Sequence, residues 1–169
     1  MKIIYVDGYN LINNWPELIN QKKASYEAAR QKLIEMLQNY GAFIGSKIII
    51  VFDAHKVRGS IQKKEKYGEL IVIFTKEGET ADSYIEKSVN DLGRRVNVTV
   101  VTNDNLEQQV VFQRGAVRKS CFEFYTDVVK GMSGIQNKTI KVASKERNLL
   151  SEFMDDNVYE KLEKIRRSH

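Results

Sequence analysis

Three short stretches place acidic side chains where a site on a sheet would need them: Val6-Asp7-Gly8-Tyr9-Asn10, Glu79-Thr80-Ala81-Asp82 and Thr102-Asn103-Asp104. Each puts a carboxylate just after a strand-like run or at the start of a predicted helix. In a parallel α/β sheet such positions open onto one edge, the carboxyl end, where ligands bind. Oxygen donors gathered there, without histidine or cysteine partners, favour hard divalent cations such as Mg²⁺ or Mn²⁺. A metal held by carboxylates in a basic protein points to phosphodiester chemistry on a nucleic acid.

Each acid also has an ordinary structural reading. Asp7 follows the first strand, where an Asx-turn would account for it. Gly8 permits a sharp turn or a close approach to a ligand, and Asn10 offers an amide to a metal-bound water or a phosphate. Asp82 precedes Ile85 by three positions and Val89 by seven. It therefore shares the helix stripe that faces the sheet, where a solvated carboxylate is out of place. Glu79 reads equally as a second carboxylate or as an exposed first-turn acid. Asp104 pairs with Glu107 as a capping box, and Asp53 ends the strand in Val51-Phe52-Asp53-Ala54-His55. Placed together, these carboxylates repel one another and need a cation.

The elements that must position them follow from the apolar pattern. Ile3 to Val6, Ile48 to Phe52, Leu70 to Phe74 and Val98 to Val101 are continuous apolar runs, the mark of strands buried on both faces. Between them lie helical patterns. One starts at Ser25 as N-cap, repeats through Ala29, Leu33, Met36, Leu37 and Tyr40, and is expected to stop at Gly41. A second starts near Thr80 and closes at Gly93; a third starts at Asn103 or Asp104 and runs through Phe112. Residues 56–68 read as a basic loop, as do Lys130 to Lys138 with Gly131 and Gly134. The tail from Ser144 reads as helical, with a break at Asp155-Asp156-Asn157 and a restart capped by Asn157 and Glu160. Alternating β and α elements imply a doubly wound α/β fold. The 169 residues are expected to form one domain with a helical tail at about 144–169.

The balance of 27 Lys+Arg against 22 Asp+Glu gives a formal charge of +5, which suits a polyanionic partner. No signal peptide or membrane span is expected. The single cysteine, Cys121, excludes an internal disulfide and fits a reducing, cytoplasmic setting. Next to Phe122 and Phe124 it reads as a packed thiol. Phosphate-contact candidates are Lys56, Arg58, Lys63 and Lys64 in the basic loop and Arg114, Arg118, Lys119 and Ser120 further on, arginine because its planar fork pairs with phosphate oxygens. Arg94 and Arg95 suit a helix C-terminus without any ligand. Tyr9, Trp15 and Tyr67 are available types for stacking on bases.

These residues resemble the NYN-domain, PIN-like nucleases, and the YacP-like family in particular. The matching blocks are Val6-Asp7-Gly8-Tyr9-Asn10-Leu11-Ile12, Val51-Phe52-Asp53-Ala54, Phe74 to Asp82 and Val101-Thr102-Asn103-Asp104. Gln108, Gly115 to Ser120 and the closing Leu162 to Arg167 match as well. The resemblance implies a three-layer, PIN-like (NYN) domain with a mainly parallel central sheet flanked by helices. It also implies a Mg²⁺- or Mn²⁺-dependent endoribonuclease, with messenger RNA as substrate and the ribosome as a candidate partner. By position, Asp7, Asp82 and Asp104 would bind the metal, with Asn10 and Asp53 supporting them. Position 103 departs from the pattern: Asn103 stands where a small hydroxyl residue is expected.

The expected reaction is endonucleolytic, by in-line attack of a metal-activated water, leaving a 5′-phosphate and a 3′-hydroxyl. The rival from another class is a non-catalytic RNA- or ribosome-binding adaptor on the same fold. A phosphatase of small phosphoesters ranks lower, because Asp7 lacks the Asp-x-Asp nucleophile pair. A dinucleotide-binding enzyme ranks lower still, because no Gly-x-Gly-x-x-Gly follows the first strand.

Overall fold

The computed structural model describes residues 2–53, 62–92, 96–103 and 115–153; beyond Ile135, side chains are described at Thr139 and Val142 alone. It is a mixed α/β structure. In chain order the elements are β1 (Lys2–Asp7), α1 (Gly8–Asn14), α2 (Pro16–Ala24), α3 (Tyr26–Ile44), β2 (Lys47–Phe52), β3 (Lys63–Tyr67), β4 (Leu70–Phe74), α4 (Ala81–Leu92), β5 (Asn97–Val101), β6 (Val117–Lys119) and α5 (Cys121–Phe153). The strands form one sheet in the order β3-β4-β2-β1-β5-β6. All pairings are parallel except β3 with β4. The chain forms two compact units, Met1–Met132, which holds the sheet and α1–α4, and Ser133–His169, whose described part is helical.

The four apolar runs are the four central strands because alternate residues of each meet a different layer. Ile4, Val6, Ile48, Ile50, Phe52, Leu70 and Val72 join a core with α1, α2, α3 and the start of α5. Ile3, Tyr5, Ile49, Val51, Ile71, Ile73, Val98 and Val100 join a second core under Ala81, Ile85 and Val89 of α4. With both faces covered, nearly every position on these strands is apolar. The chain leaves β1 first towards β2 and β4, then crosses by α4 to β5 on the other side. The strand order thus reverses at β1, and the crevice at its carboxyl end is the ligand position of an open α/β sheet.

Four expectations are corrected. The basic segment 56–68 is not all loop: Lys63–Tyr67 is the antiparallel edge strand β3. Its charged residues hide the strand from an apolar search, and lysines on an exposed edge discourage further pairing. Gly41 does not end α3; the helix runs to Ile44 and stops at Gly45, whose φ of 60° is the left-handed conformation glycine favours. Gly41 is buried inside the helix, where a Cβ would lie 3.2 Å from Ile48 Cδ1. Lys130 to Lys138 is not a loop either, because α5 runs straight through it. Gly131 is there for packing: a Cβ would come within 2.8 Å of the Tyr40 ring. Finally, Phe122 is exposed while Phe124 is buried. On a helix, Cys121 and Phe124 share the inward face and Phe122 falls outside it. The expected helix from Asn103 or Asp104, the Gly93 stop and the tail beyond Phe153 lie outside the described residues. No described helix is long and apolar enough to cross a membrane.

Gly8 links this packing to the site. A Cβ on Gly8 would meet Phe52 Cε1 at 2.3 Å, so its close approach is to the core and not to a ligand. Phe52 is fully buried between Tyr9 and Phe74 and has little room to yield. Gly8→Ala is expected to destabilise the protein by about 1–3 kcal/mol in urea unfolding, and Phe52→Leu should offset part of that loss in the double variant. Strictly additive losses would refute the contact.

Candidate functional site

Asp7 ends β1 and caps α1, its Oδ1 accepting the Asn10 backbone N–H at 3.1 Å. In register, Val6 lies beside Val101, so Thr102 follows on beside Asp7. Asn10 Nδ2 donates to Thr102 Oγ1 at 3.4 Å. Its Oδ1 accepts from the Cys121 thiol at 3.4 Å and from Asn14 Nδ2 at 3.2 Å. Asn103 Nδ2 donates to Asn14 Oδ1 at 3.1 Å, and its Oδ1 accepts the Cys121 N–H at 2.9 Å. Asn103 therefore ties α1 to the first residue of α5. That needs an amide with both a donor and an acceptor, which a serine hydroxyl would span less well.

Asp82 enters from the opposite layer. Thr80 caps α4, its Oγ1 accepting the Ser83 N–H at 3.1 Å, and Gly78 makes the preceding turn at a φ of 84°. Ile85 and Val89 are buried as the stripe predicts, and Asp82 on the same stripe is half-buried. Its charge reaches Asp7. Burial first, and the Asp82 charge second among the raising causes, push the Asp7 carboxyl up to about 6 against the ordinary 3.8. Hydrogen bonds from Asn10 and Tyr9 oppose that rise.

The other candidates are distributed around this pair. Asp53 follows β2, close enough that its charge helps raise the Tyr9 hydroxyl, although burial is the larger cause. Glu79 sits in the turn before α4, not in its first turn; its N–H bonds Lys76 O and its carbonyl accepts the Thr75 hydroxyl at 2.6 Å. Lys63 pairs with Glu65 at 2.6 Å on β3, and Lys64 is exposed on the other face of that strand. Arg118 is half-buried on β6, and its Nε has no hydrogen-bond partner among the described residues. Lys119 is ion-paired with Asp127. Ser120 caps α5: its N–H and hydroxyl donate to Glu123 Oε2 at 2.7 and 2.8 Å, and its Oγ accepts the Glu123 N–H. Asp104, Lys56, Arg58 and Arg114 lie outside the described residues. Among the described residues no three His, Cys, Asp or Glu side chains converge as a metal-holding group.

Two corrections concern aromatics. Tyr9 and Trp15 are 6% and 1% exposed, so neither can stack on a base. Trp15 is a core anchor whose Nε1 donates to Cys121 O at 3.0 Å, and Tyr9 packs edge-on against Tyr26 and Phe52. Tyr67 donates its hydroxyl to Glu65. One residue passed unnoticed in the sequence. Arg30, half-buried on α3, donates to the Tyr9 hydroxyl at 3.2 Å and brings a guanidinium to the acidic edge. Its placement depends on a contact between residues 21 positions apart.

The family model of the YacP-like NYN domain matches residues 4–167. The chain belongs to that family. It is 41% identical to protein YacP of Bacillus subtilis (strain 168) over 147 residues, covering 85% of each chain. The crystal structure of Rae1 (YacP) from Bacillus subtilis superposes with a TM-score of 0.76 at 40% identity, over 99% of this chain and 95% of the other. A variant of that protein gives a TM-score of 0.74 at 39% identity, over 85% of each chain. The fold accords with a PIN-like domain, and membership in the YacP-like NYN family implies a nuclease-type function directed at RNA.

The Asp7 environment has a measurable consequence. The folded YacP-like domain holds this proton more tightly than the unfolded chain, so stability declines as pH rises from about 4 to about 6 and stays reduced above that. Asp7→Asn keeps a good N-cap and removes the buried charge. Without divalent cations it is expected to raise stability at pH 7.5 by on the order of 2 kcal/mol and to flatten the Tm profile between pH 4 and 6. An unchanged profile would show that the carboxylate is not confined as described.

Proposed function

We propose that the protein is a Mg²⁺- or Mn²⁺-dependent endoribonuclease acting in the cytoplasm on messenger RNA, with the ribosome as the partner that presents it. The observation that carries this reading is that the Asp82 charge reaches the buried Asp7 carboxyl at the reversal of strand order in a YacP-like NYN domain. Two mutually repelling carboxylates with an amide beside them, all oxygen donors, fit a hard divalent cation. Asp104, which lies outside the described residues, would be the third carboxylate. When bound, the metal supplies an acidified water and neutralises charge on the phosphate.

The chain's own residues then have separate tasks. Asp7 and Asp82 would hold the cation from opposite layers, each fixed on a capped helix start. Asn10, gripped by Thr102, Asn14 and Cys121, keeps one amide orientation towards the attacking water or the phosphate. Asp53 extends the acidic edge, and Glu79, in the turn before α4, flanks it. Arg30, with most of its donors beyond the one on Tyr9, offers a fork for a phosphate oxygen. Lys64, Arg118 and Lys119, with Lys56, Arg58 and Arg114, supply positive charge for the RNA backbone. In this reading water, and not the RNA 2′-hydroxyl, displaces the 3′-oxygen from phosphorus, so the products carry a 5′-phosphate and a 3′-hydroxyl.

The test is cleavage of a translated messenger RNA in Mg²⁺ or Mn²⁺, with and without ribosomes. Asp82→Asn is expected to lower the cleavage rate by at least about 100-fold while leaving thermal stability at or above wild type. Cuts that persist in the variant would remove Asp82 from the site. RNA binding without cleavage by either protein would favour the non-catalytic adaptor.

A further inference from the structure

Phe122 is 76% exposed, the most exposed of the large apolar side chains among the described residues. A single surface phenylalanine is unremarkable by itself. Its mounting is what distinguishes it. The preceding residue, Cys121, is held by Asn103 through its N–H, by Trp15 Nε1 through its carbonyl, and by Asn10 Oδ1 through its thiol. Ser120 and Glu123 close a reciprocal cap around it, and Lys119 is tied to Asp127. Asn10 in turn bonds Asp7. The Phe122 backbone is therefore one residue from a side chain that touches the Asp7–Asn10 turn, on a rigid support.

We infer that Phe122 is a stacking platform for one unpaired base of an RNA strand lying across the Asp7–Asp82 edge. The inference rests on the RNA-cleaving reading above and names a substrate property of the same site. Three observations favour a base over an apolar protein partner. The i+3 and i+4 neighbours of Phe122 on α5, Tyr125 and Thr126, both carry hydroxyls, and that of Tyr125 donates to Glu17, so the ring is flanked by polar tips on its own helix. Arg118 and Lys119 lie just before it, as backbone contacts accompany a stacked base. The aromatics closer to Asp7 in sequence, Tyr9 and Trp15, are buried and leave the role open. Stacking tolerates any base but requires an exposed face, so Phe122 selects single-stranded over duplex RNA.

The test uses Phe122→Trp in the Asp82→Asn background, so that RNA is bound and not cut. The native Trp15 is buried, and the new indole reports contact at position 122. Titration with a single-stranded RNA 12-mer should quench its fluorescence saturably, and the same sequence as a duplex should not. Phe122→Leu, which keeps apolar bulk but loses the ring face, should weaken single-strand binding about 5- to 100-fold at unchanged Tm. Absence of quenching, equal quenching by the duplex, or wild-type affinity in Phe122→Leu overturns the inference. So does quenching by ribosomal protein in the absence of RNA. Quenching in a protein whose wild type never cleaves would sink the nuclease reading and leave the stacking intact, so the two failures are distinguishable.

Discussion

A buried strand that turns into a helix within one residue must give the helix's first amides a partner, and here that partner is Asp7. Its Oδ1 takes the Asn10 N–H, which starts α1 directly where β1 ends. The turn is tight because Gly8 lets the backbone lie against the Phe52 ring. Everything at the carboxyl edge is built outward from this junction. Asn10 reaches Thr102 and Cys121 from it, and Tyr9 reaches Arg30. One carboxylate thus serves as helix cap and as half of an acidic pair, and the two duties oppose each other. Capping and burial place the charge where water solvates it poorly, and α4 brings a second charge towards it.

Much of this was legible in the residues. The central strands are apolar on both faces, so their runs could be found without knowing the fold. Asp82 could be singled out because an acid on the Ile85–Val89 stripe conflicts with the layer that stripe covers. The misreadings have physical causes. β3 is an edge strand made of exposed lysines around a half-buried glutamate, so it carries no apolar signature. Gly131 resembles a loop residue until Tyr40 of α3, far away in sequence, fills the space of its missing side chain. Trp15 and Tyr9 sit among polar residues in the sequence and still point inward, because their partners Phe124, Phe52 and Tyr26 come from other elements. Arg30 could not be read at all, since its role arises only when α3 lies against α1.

The departure at position 103 illustrates how one residue type can be exchanged without dismantling a site. Asn103 does not replace a hydroxyl atom for atom. It spans two elements, giving a hydrogen to Asn14 and taking one from the start of α5. With Asn10 and Asn14 it makes a run of amides in which a donor on one meets an acceptor on the next. Such a lattice fixes the amide orientation of Asn10 by exclusion of the flipped alternatives.

The grip on Cys121 also sets an order of assembly. Its bonds to Asn10 and Trp15 join residues 111 and 106 positions apart, and the tie from Asn10 to Thr102 spans 92. Residues 1–15, synthesised well before α5, hold one carboxylate and the amide beside it. They cannot be locked until more than a hundred further residues have emerged and α5 has begun. A nascent chain therefore carries an incomplete site until α5 has begun, and closing loops of 92, 106 and 111 residues is what completes it.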